Sequence, residues 1–366
     1  MGQSGVDRDR VDPRERSRPR NAAGNASGNA AVGSAVVEDA VPDGNATGDV
    51  VCLGESLAVF VPDAEEPGRY LLTIGGAESN VARHLARAGL PVRWVGAVGE
   101  DDLGRAVLDH LRASGVDVAA VRVDPERPTG LYVKEPDAGG SRMRYYRSGS
   151  AASALGPDFL ATLDLTTARL VHLTGITAAL SPSCRALLRT AMDPGRRRSS
   201  PLVSFDVNWR PVLWRDQDAR VLTELANAAD VVFVGEDEAE ALWGTGDPDR
   251  VRALLPAPTT VVVKQGARGA TLVEGGTAVF QPALAVDVVE PVGAGDAFAA
   301  GFLAATLAGA EPAHRLRAGH LLAAATLCSR EDVGDPLPAD RVAALLAADA
   351  ATWAAARVTR EGVAPR

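Results

Sequence analysis

The chain of 366 residues has few cysteines, few lysines and no long apolar run, and each shortage excludes a class of protein. Its three cysteines, Cys52, Cys184 and Cys328, are far apart and lack the paired spacing of zinc sites or disulfide frameworks. They are predicted to be buried small hydrophobes in a reducing compartment. The five histidines form no metal-binding motif either. We therefore expect no metal site built on cysteine or histidine.

Membrane-spanning segments and an excess of positive charge are also missing. The longest stretch of low charge, residues 297–310, is well short of the roughly 20 residues that span a bilayer. The first twenty residues lack the apolar core of a signal peptide. The formal net charge of −9 disfavours nucleic acid as a main partner, because phosphate backbones bind basic faces. We predict a cytoplasmic protein with neither a membrane nor a nucleic-acid partner.

Lysine is nearly absent, since only Lys134 and Lys264 occur among the 38 basic residues. A GC-rich genome explains a general bias toward arginine. These two lysines nevertheless stand where arginine was available. Their presence indicates specific roles for both lysines.

Strand-like and helix-like patterns alternate from about residue 50 onward. Ala- and Leu-rich segments with apolar residues at three- and four-residue intervals separate short β-branched runs. The alternation predicts an α/β fold, a doubly wound and mostly parallel sheet flanked by helices, over residues 49–350. Residues 1–48 are of low complexity and are predicted to be a disordered tail, and residues 351–366 a C-terminal extension. Strands are predicted at residues 50–53, 92–95, 170–173, 202–205, 231–234 and 261–264.

Two segments, about residues 58–75 and 128–150, break this alternation. Each is typical of a β-hairpin, with turns at residues 65–68 and 137–140 and no helix of its own afterwards. An accessory β-sheet lying over the main sheet accounts for both. We predict that this sheet forms a lid.

The segment VEPVGAGDAFAAGF places Gly293, Ala294 and Gly295 directly before Asp296. It follows a strand predicted at residues 285–289 and begins a predicted helix. Glycines let the backbone approach a ligand closely, and a helix N-terminus offers unpaired N–H groups to an anion. An acid beside such an anion site can act as a general base toward a hydroxyl that attacks a phosphoryl group. Alone, the segment equally fits a turn whose acid complements the helix dipole.

Two glycine-containing segments offer further binding groups. VVVKQGARGA ends a strand in Lys264, and Gly266 and Gly269 follow in what is either a phosphate-facing turn or an ordinary hairpin turn. TIGGAESNVARHLARAGL places paired glycines before a helix, with Asn80 in its first turn. The amide of Asn80 both donates and accepts hydrogen bonds, which suits hydroxyl groups. The alternative is a tight turn with a capping residue.

Two arginine-containing segments, RMRYYRSGSAAS and FDVNWRPVLW, supply Tyr145, Arg147 and Arg210. Arginine matches the oxygens of carboxylates and phosphates, and tyrosine can orient a hydroxyl or keto group. Exposed arginines are otherwise simply solvated. Neither segment alone identifies a ligand.

Taken together, these segments resemble the signatures of the ribokinase-like (pfkB) carbohydrate kinases. The stretch GGAESNVARHLARAGLPVRWVGAVGEDDLG resembles the amino-terminal signature, and VEPVGAGDAFAAGFLAA resembles the carboxy-terminal one. Within the family, TGLYVKEP, YYRSGSAASAL and DVNWRPVLW are most similar to kinases of 2-keto-3-deoxygluconate. The resemblance implies ATP-dependent phosphorylation of this sugar acid at its 6-hydroxyl. The alternatives are a fructokinase, another dehydro-deoxy sugar acid kinase, or a non-catalytic sugar or nucleotide sensor.

The resemblance also implies roles for individual residues. Asp296 would be the base, the Gly293, Ala294 and Gly295 amides would stabilise the transferring phosphoryl group, and ATP and Mg²⁺ would be cofactors. A monovalent cation is left open, and a homodimer through the lid is implied. Arg210 would lie near the phosphates, ATP along Lys264, Gly266 and Gly269, and Mg²⁺ would be organised through water by Glu238. The sugar acid would be held by Gly76, Asn80, Tyr132, Tyr145, Arg147, Asn208, Arg210 and Asp332.

Two positions depart from the family pattern. Glu290-Pro291 stands where the family often has Asp-Thr, and Gly235 replaces the asparagine of an Asn-x-x-Glu motif that ends in Glu238. Both changes lie where the family organises its metal. The resemblance therefore implies least about the metal geometry.

Overall fold

The computed structural model describes residues 49–63, 65–137, 140–193 and 201–365. The predicted disordered tail lies outside these ranges, as do two residues of the turn predicted at 137–140. The strands are β1 (Val50–Leu53), β2 (Leu57–Pro62), β3 (Tyr70–Gly75), β4 (Val92–Val95), β5 (Ala97–Gly99), β6 (Arg122–Asp124), β7 (Leu131–Asp137), β8 (Gly140–Tyr146), β9 (Leu170–Thr174), β10 (Leu202–Asp206), β11 (Val231–Gly235), β12 (Thr260–Lys264), β13 (Gly269–Glu274), β14 (Thr277–Pro282), β15 (Ala285–Val286), β16 (Ala356–Thr359) and β17 (Gly362–Pro365).

The helices connect these strands and cover their faces. They are α1 (Ala77–Arg87), α2 (Asp102–Ala113), α3 (Pro157–Leu160), α4 (Gly175–Leu180), α5 (Pro182–Ala191), α6 (Pro211–Trp214), α7 (Arg220–Asn227), α8 (Glu236–Trp243), α9 (Pro248–Leu254), α10 (Ala294–Leu307), α11 (Pro312–Leu327), α12 (Ala339–Leu346) and α13 (Ala350–Ala355). Within the described ranges, no helix combines the length and apolarity needed to cross a membrane.

The central sheet has eight strands in the order β14-β13-β12-β11-β10-β9-β1-β4. Neighbours from β12 to β4 pair in parallel, whereas β13 and β14 add an antiparallel edge. All six strands predicted from β-branched runs belong to the parallel part. The predicted doubly wound, mostly parallel sheet is thus confirmed.

Both faces of this sheet are buried beneath helices. In β1, Val50 and Cys52 pack into one core with α1, α2 and α10, while Val51 and Leu53 pack into the other with α5 and α7. Side chains alternate between the faces of a strand, so a strand covered on both sides is apolar throughout. This explains the largely apolar sequences of these strands, which are interrupted at Arg93, His172 and Ser204.

A separate sheet of four strands, in the order β3-β2-β7-β8, forms the predicted lid. The pairs β2–β3 and β7–β8 are antiparallel hairpins, and β2 joins β7 in parallel. Leu57, Val59 and Tyr132 form a small apolar core of its own. The prediction of a second, smaller sheet from the two hairpin segments is confirmed.

The prediction of a strand at residues 285–289 is wrong in two respects, the length of the strand and the sheet to which it belongs. Only Ala285–Val286 form a strand, which pairs with β16 and not with the central sheet. Asp287 still bonds to Val358 of β16, whereas the Val289 amide donates to the Leu327 carbonyl of α11 at 2.8 Å. The segment predicted as a C-terminal extension supplies β16 and β17 of this three-stranded sheet, and its Trp353 is buried.

Candidate active site

A cavity of about 590 Å³ opens where the carboxyl ends of the parallel strands meet the lid. We call it the central cavity. Ligands bind in this position in open α/β sheets, since loops leaving several strands converge there. The structure brings the following predicted residues together in its wall: Gly76, Asn80, Tyr132, Tyr145, Arg147, Asn208, Arg210, Glu238, Lys264, Gly266, Gly293, Gly295, Asp296 and Asp332.

A second cavity of about 680 Å³ adjoins the first, and we call it the adjoining cavity. Lys264, Gly266 and Gly295 line both. Two predicted residues, Gly269 and Ala294, line the adjoining cavity and not the central one. Its remaining wall is largely apolar, with Leu284, Val286, Phe298 and Leu327. The two cavities together suit a ligand with one polar end and one flat, apolar end.

Residues 293–296, which we call the anion loop, cap and begin α10. Gly293 is the N-cap residue, with a left-handed backbone at φ 83°, and Asp296 lies in the first turn. The Nδ2 of Asn80, from α1, donates a hydrogen bond to Oδ2 of Asp296 at 2.9 Å. Two segments that are 216 residues apart in sequence therefore position one carboxyl group at the floor of the cavity.

The carboxyl group of Asp296 has the electrostatics of a base that works near neutrality. Burial raises the pKa of Asp296 to about 7, and the nearby charge of Asp206 adds to this effect. The hydrogen bond from Asn80 and the charges of Arg210 and Lys264 act in the opposite direction. A base is most effective when its pKa lies near the working pH.

Two charge pairs lie beside Asp296. Lys264 Nζ contacts Asp206 Oδ2 at 2.7 Å, and Arg210 Nη1 contacts Glu238 Oε1 at 3.3 Å. Burial opposes the charge of Lys264, but Asp206 and Glu238 outweigh it, so the pKa of Lys264 is raised. Burial raises the pKa of Glu238 as well. Lysine and arginine at this position can neutralise an incoming polyphosphate.

Arg147 is held by a residue that the sequence interpretation missed. Its Nε donates to Oε2 of Glu55 at 2.7 Å, and its Nη2 contacts the same oxygen. The Ser150 hydroxyl donates to Oε1 of Glu55 at 2.8 Å. Among the described residues none bonds to Nη1 of Arg147. That edge of the guanidinium remains for a ligand, and its plane is fixed by Glu55.

Two buried amide oxygens in the cavity wall lack a partner. Oδ1 of Asn80 and Oδ1 of Asn208 find no hydrogen-bond donor in the described part of the chain. Asn208 also has a backbone φ of 42°, which is uncommon for a residue other than glycine. Buried polar atoms are normally satisfied, and a ligand in the central cavity that brings donors would satisfy both oxygens. Hydroxyl groups fit this requirement.

Tyr132 and Asp332, both predicted to hold the sugar acid, contact each other. The phenol of Tyr132 donates to Oδ2 of Asp332 at 2.7 Å, and Lys134 Nζ pairs with Oδ1 at 2.8 Å. The ring of Tyr145 packs against Tyr132, with centroids 5.2 Å apart. The lid therefore contacts the floor of the cavity through Asp332.

The residues missed from the sequence share one signal. Asp206 is the last residue of β10, and Glu55 follows β1 by two residues. A carboxylate directly after a buried parallel strand lies at the ligand-binding edge of the sheet. Applying this rule to every predicted strand would have found both.

Comparison with known proteins agrees with this geometry. The family model of pfkB family carbohydrate kinases matches residues 47–340. The chain is 37% identical over 308 residues to 2-dehydro-3-deoxygluconokinase of Thermoproteus tenax, covering 80% of this chain and 92% of that protein. It is 36% identical over 312 residues to the enzyme of the same name from Bacillus subtilis, covering 82% and 96%.

Among solved structures, the crystal structure of a PfkB protein from Polaromonas sp. JS666 matches with a TM-score of 0.68 and 34% identity. The match covers 76% of this chain and 95% of that one. The two curated relatives cover most of the chain, and the family model extends over both signature segments and the lid. The chain therefore belongs to the pfkB family of carbohydrate kinases, which transfer a phosphoryl group from ATP to a sugar hydroxyl.

Proposed function

We propose that this kinase phosphorylates 2-keto-3-deoxygluconate, also called 2-dehydro-3-deoxygluconate, at its 6-hydroxyl. One observation supports the choice of substrate. The wall of the central cavity contains both a guanidinium nitrogen that bonds to none of the described residues and two amide oxygens that lack hydrogen-bond donors there. Nη1 of Arg147 suits a carboxylate, and Oδ1 of Asn80 and Asn208 suit sugar hydroxyls. Relatives named for this activity support the proposal. A neutral sugar such as fructose would use the amides but not the guanidinium.

The proposed mechanism divides the reaction between the two cavities. ATP would place its adenosine in the apolar adjoining cavity and its phosphates along Lys264 and Gly266, which both cavities share. Asp296 would accept the proton of the 6-hydroxyl as the oxygen attacks the γ-phosphorus. The backbone N–H groups at the start of α10 would stabilise the charge on the transferring group. Catalysis then rests on alignment and electrostatic stabilisation.

Magnesium would enter this site with ATP. In the described ranges, no three His, Cys, Asp or Glu side chains are arranged to ligate a metal directly. Asp206 and Glu238 nevertheless face the cavity, and the negative charge of Asp206 contributes to the raised pKa of Glu238. This donor set fits a Mg²⁺ held through water by Glu238 and Asp206. When bound, the ion would neutralise charge on the phosphates.

The proposal is tested by coupled ADP release over a panel of sugars. We expect turnover with 2-keto-3-deoxygluconate at a higher kcat/KM than with 2-keto-3-deoxygalactonate or fructose, and ³¹P–¹³C coupling should place the phosphate on C6. Repeating the assay in K⁺ and in tetramethylammonium decides whether a monovalent cation is needed. Preference for fructose would overturn the substrate. Sugar-induced thermal stabilisation without ADP release would instead support a sensor.

Activity should depend on pH through Asp296. A general base works when deprotonated, so kcat/KM should fall about tenfold per pH unit below a pKa near 7 and level off above it. Asn80→Ala removes a hydrogen bond that lowers this pKa, and the acidic limb of its kcat/KM profile should move to higher pH. A profile that stays flat between pH 6 and 8 would argue against Asp296 as the base.

The role of Arg147 is tested by removing it together with its partner. Arg147→Met alone would leave Glu55 as a buried unpaired carboxylate, so the double variant Glu55→Gln/Arg147→Met is preferable. Loss of a charged hydrogen bond should raise the KM for the sugar acid by about 10- to 100-fold. Arg144→Met, which removes an exposed arginine of the preceding strand β8, should change this KM less than about twofold. An unchanged KM in the double variant would reject carboxylate recognition by Arg147.

We also propose that the lid mediates a homodimer. Tyr70 and Leu71 on β3 and Tyr146 on β8, the two edge strands of the lid sheet, are each at least half exposed, which is unusual for large apolar side chains. A second lid packed against these strands would cover them.

A further inference from the structure

The two lysines of the chain have matching surroundings. Lys264 pairs with Asp206 at 2.7 Å, and Lys134 pairs with Asp332 at 2.8 Å. Both aspartates line the central cavity. Lys264 lines it as well, whereas Lys134 does not, and the side chain of Lys134 is only 3% exposed. Lys134 therefore acts on a bound sugar indirectly, and its ion-pair partner Asp332 is the group that reaches the cavity.

We propose that Lys134 is a positioning residue, which fixes Asp332 between the lid and the anion loop and thereby orders the sugar site for phosphoryl transfer. The inference rests on the proposed function in one respect, that the sugar binds in the central cavity.

The side chain of Asp332 is fixed at both oxygens by one face of β7. Tyr132 donates to Oδ2 and Lys134 to Oδ1. These lid residues are two apart in the strand, so their side chains point to the same face. Lys134 Nζ also lies 3.5 Å from the Arg330 carbonyl oxygen. The ammonium thus joins the lid to the backbone of the segment that carries Asp332.

The main chain of Asp332 lies directly against the anion loop. A Cβ added to Gly293 would stand 2.2 Å from the Asp332 carbonyl oxygen, so the two backbones are in close contact. A Cβ added to Gly75, at the end of β3, would stand 2.7 Å from Oδ2 of Asp332. Asp332 therefore touches both lid hairpins through its side chain and the anion loop through its carbonyl. Any shift of this residue is transmitted to all three.

Lysine suits this position better than arginine. Its ammonium is a compact charge with three donors, enough to reach Asp332 and the Arg330 carbonyl from one atom. Without that charge, the Asp332 carboxylate, at 5% exposure, would keep the Tyr132 phenol as its remaining side-chain hydrogen-bond donor among the described residues. A buried carboxylate without its cationic partner turns toward water, and that change removes its present geometry.

The test is a double-mutant cycle in the full chain with Lys134→Met, Asp332→Asn and both together. Lys134→Met should raise the KM for the sugar and lower kcat, each by about tenfold, while the KM for ATP changes less than about twofold. In the Asp332→Asn background, Lys134→Met should have no further effect on either sugar parameter. Lys134→Arg, which keeps the charge, should recover part of the loss in kcat.

If the effects of Lys134→Met and Asp332→Asn on KM and kcat multiplied in the double variant, the proposal would be overturned, because Lys134 would then act independently of Asp332. A lowered Tm with unchanged kinetics would also overturn it. Hydrogen exchange of the free enzyme gives a readout that needs no substrate: amides of residues 131–135 and 329–334 should exchange faster in Lys134→Met and not in Arg144→Met. Unchanged exchange in either segment would contradict the proposed link. Should Lys134→Met not fold, Lys134→Gln replaces it.

If the sugar acid proves not to be the substrate, the proposed function fails separately. The cycle is then run with whichever sugar of the panel is phosphorylated, and hydrogen exchange is unaffected. The two failures are thus distinguishable.

Discussion

Replacing Asp296 with asparagine should lower kcat by about 10²- to 10⁴-fold, the contribution expected of a general base. The amide has nearly the same shape and could still bond to Asn80, but it cannot accept the proton of the attacking hydroxyl. Because this isosteric change leaves the proposed sugar contacts of Arg147 and Asn208 in place, KM values should change much less. Steady-state ADP release with the sugar acid measures both parameters.

A thermal-shift control separates loss of chemistry from loss of fold. The pKa of Asp296 is raised from 3.8 to about 7, so its ionisation destabilises the folded state progressively as pH rises through this window, and fully above it. Asparagine carries no such charge. Asp296→Asn should therefore keep or raise the Tm at pH 8. Asp109→Asn, on an exposed face of α2, should change neither kcat nor Tm. Near-normal turnover in Asp296→Asn would remove Asp296 from the role of base.

The parallel part of the fold could be predicted from the sequence because its strands are covered on both faces. Such strands are apolar at most positions, and a short β-branched run like that of β11 is typical of them. The two-residue strand β15 could not be predicted in this way. Its partner, β16, comes from 70 residues later, and only three-dimensional packing decides that pairing.

The sequence predicts many of the groups that form the site, but not which charged side chains pair with one another. Glycines before Asp296 and arginines in short motifs are visible in the sequence. Which acid neutralises which base is not, since Glu55 and Arg147 are 92 residues apart and Lys134 and Asp332 are 198 apart. The pairing changes the interpretation of Arg147, which is not a free cation but one whose geometry Glu55 sets. It also gives Lys134 a role that the rarity of lysine had only indicated.

Alanine substitutions at the two glycines of the anion loop should have very different effects. At Gly293, φ is 83° and a new Cβ would stand 2.2 Å from the Asp332 carbonyl oxygen. Gly293→Ala should therefore cost about 1–3 kcal/mol in backbone strain, with more from the clash, and lower the Tm by roughly 2–10 °C. It should also lower kcat, because the loop and Asp332 must move apart.

At Gly295, an added Cβ meets only Lys264 Nζ at 3.6 Å, an ordinary contact distance, and the backbone is not left-handed. Gly295→Ala should therefore fold with a Tm within about 2 °C of the parent. Its methyl group would nevertheless stand in both cavities, where the phosphates should approach, and a misplacement of about 1 Å can cost roughly 10²-fold in rate. Gly295→Ala thus separates catalysis from stability, whereas Gly293→Ala impairs both. Full activity in Gly295→Ala would show that the transferring phosphoryl group does not pass close to this backbone, and the proposed path of ATP from the adjoining cavity would have to be abandoned.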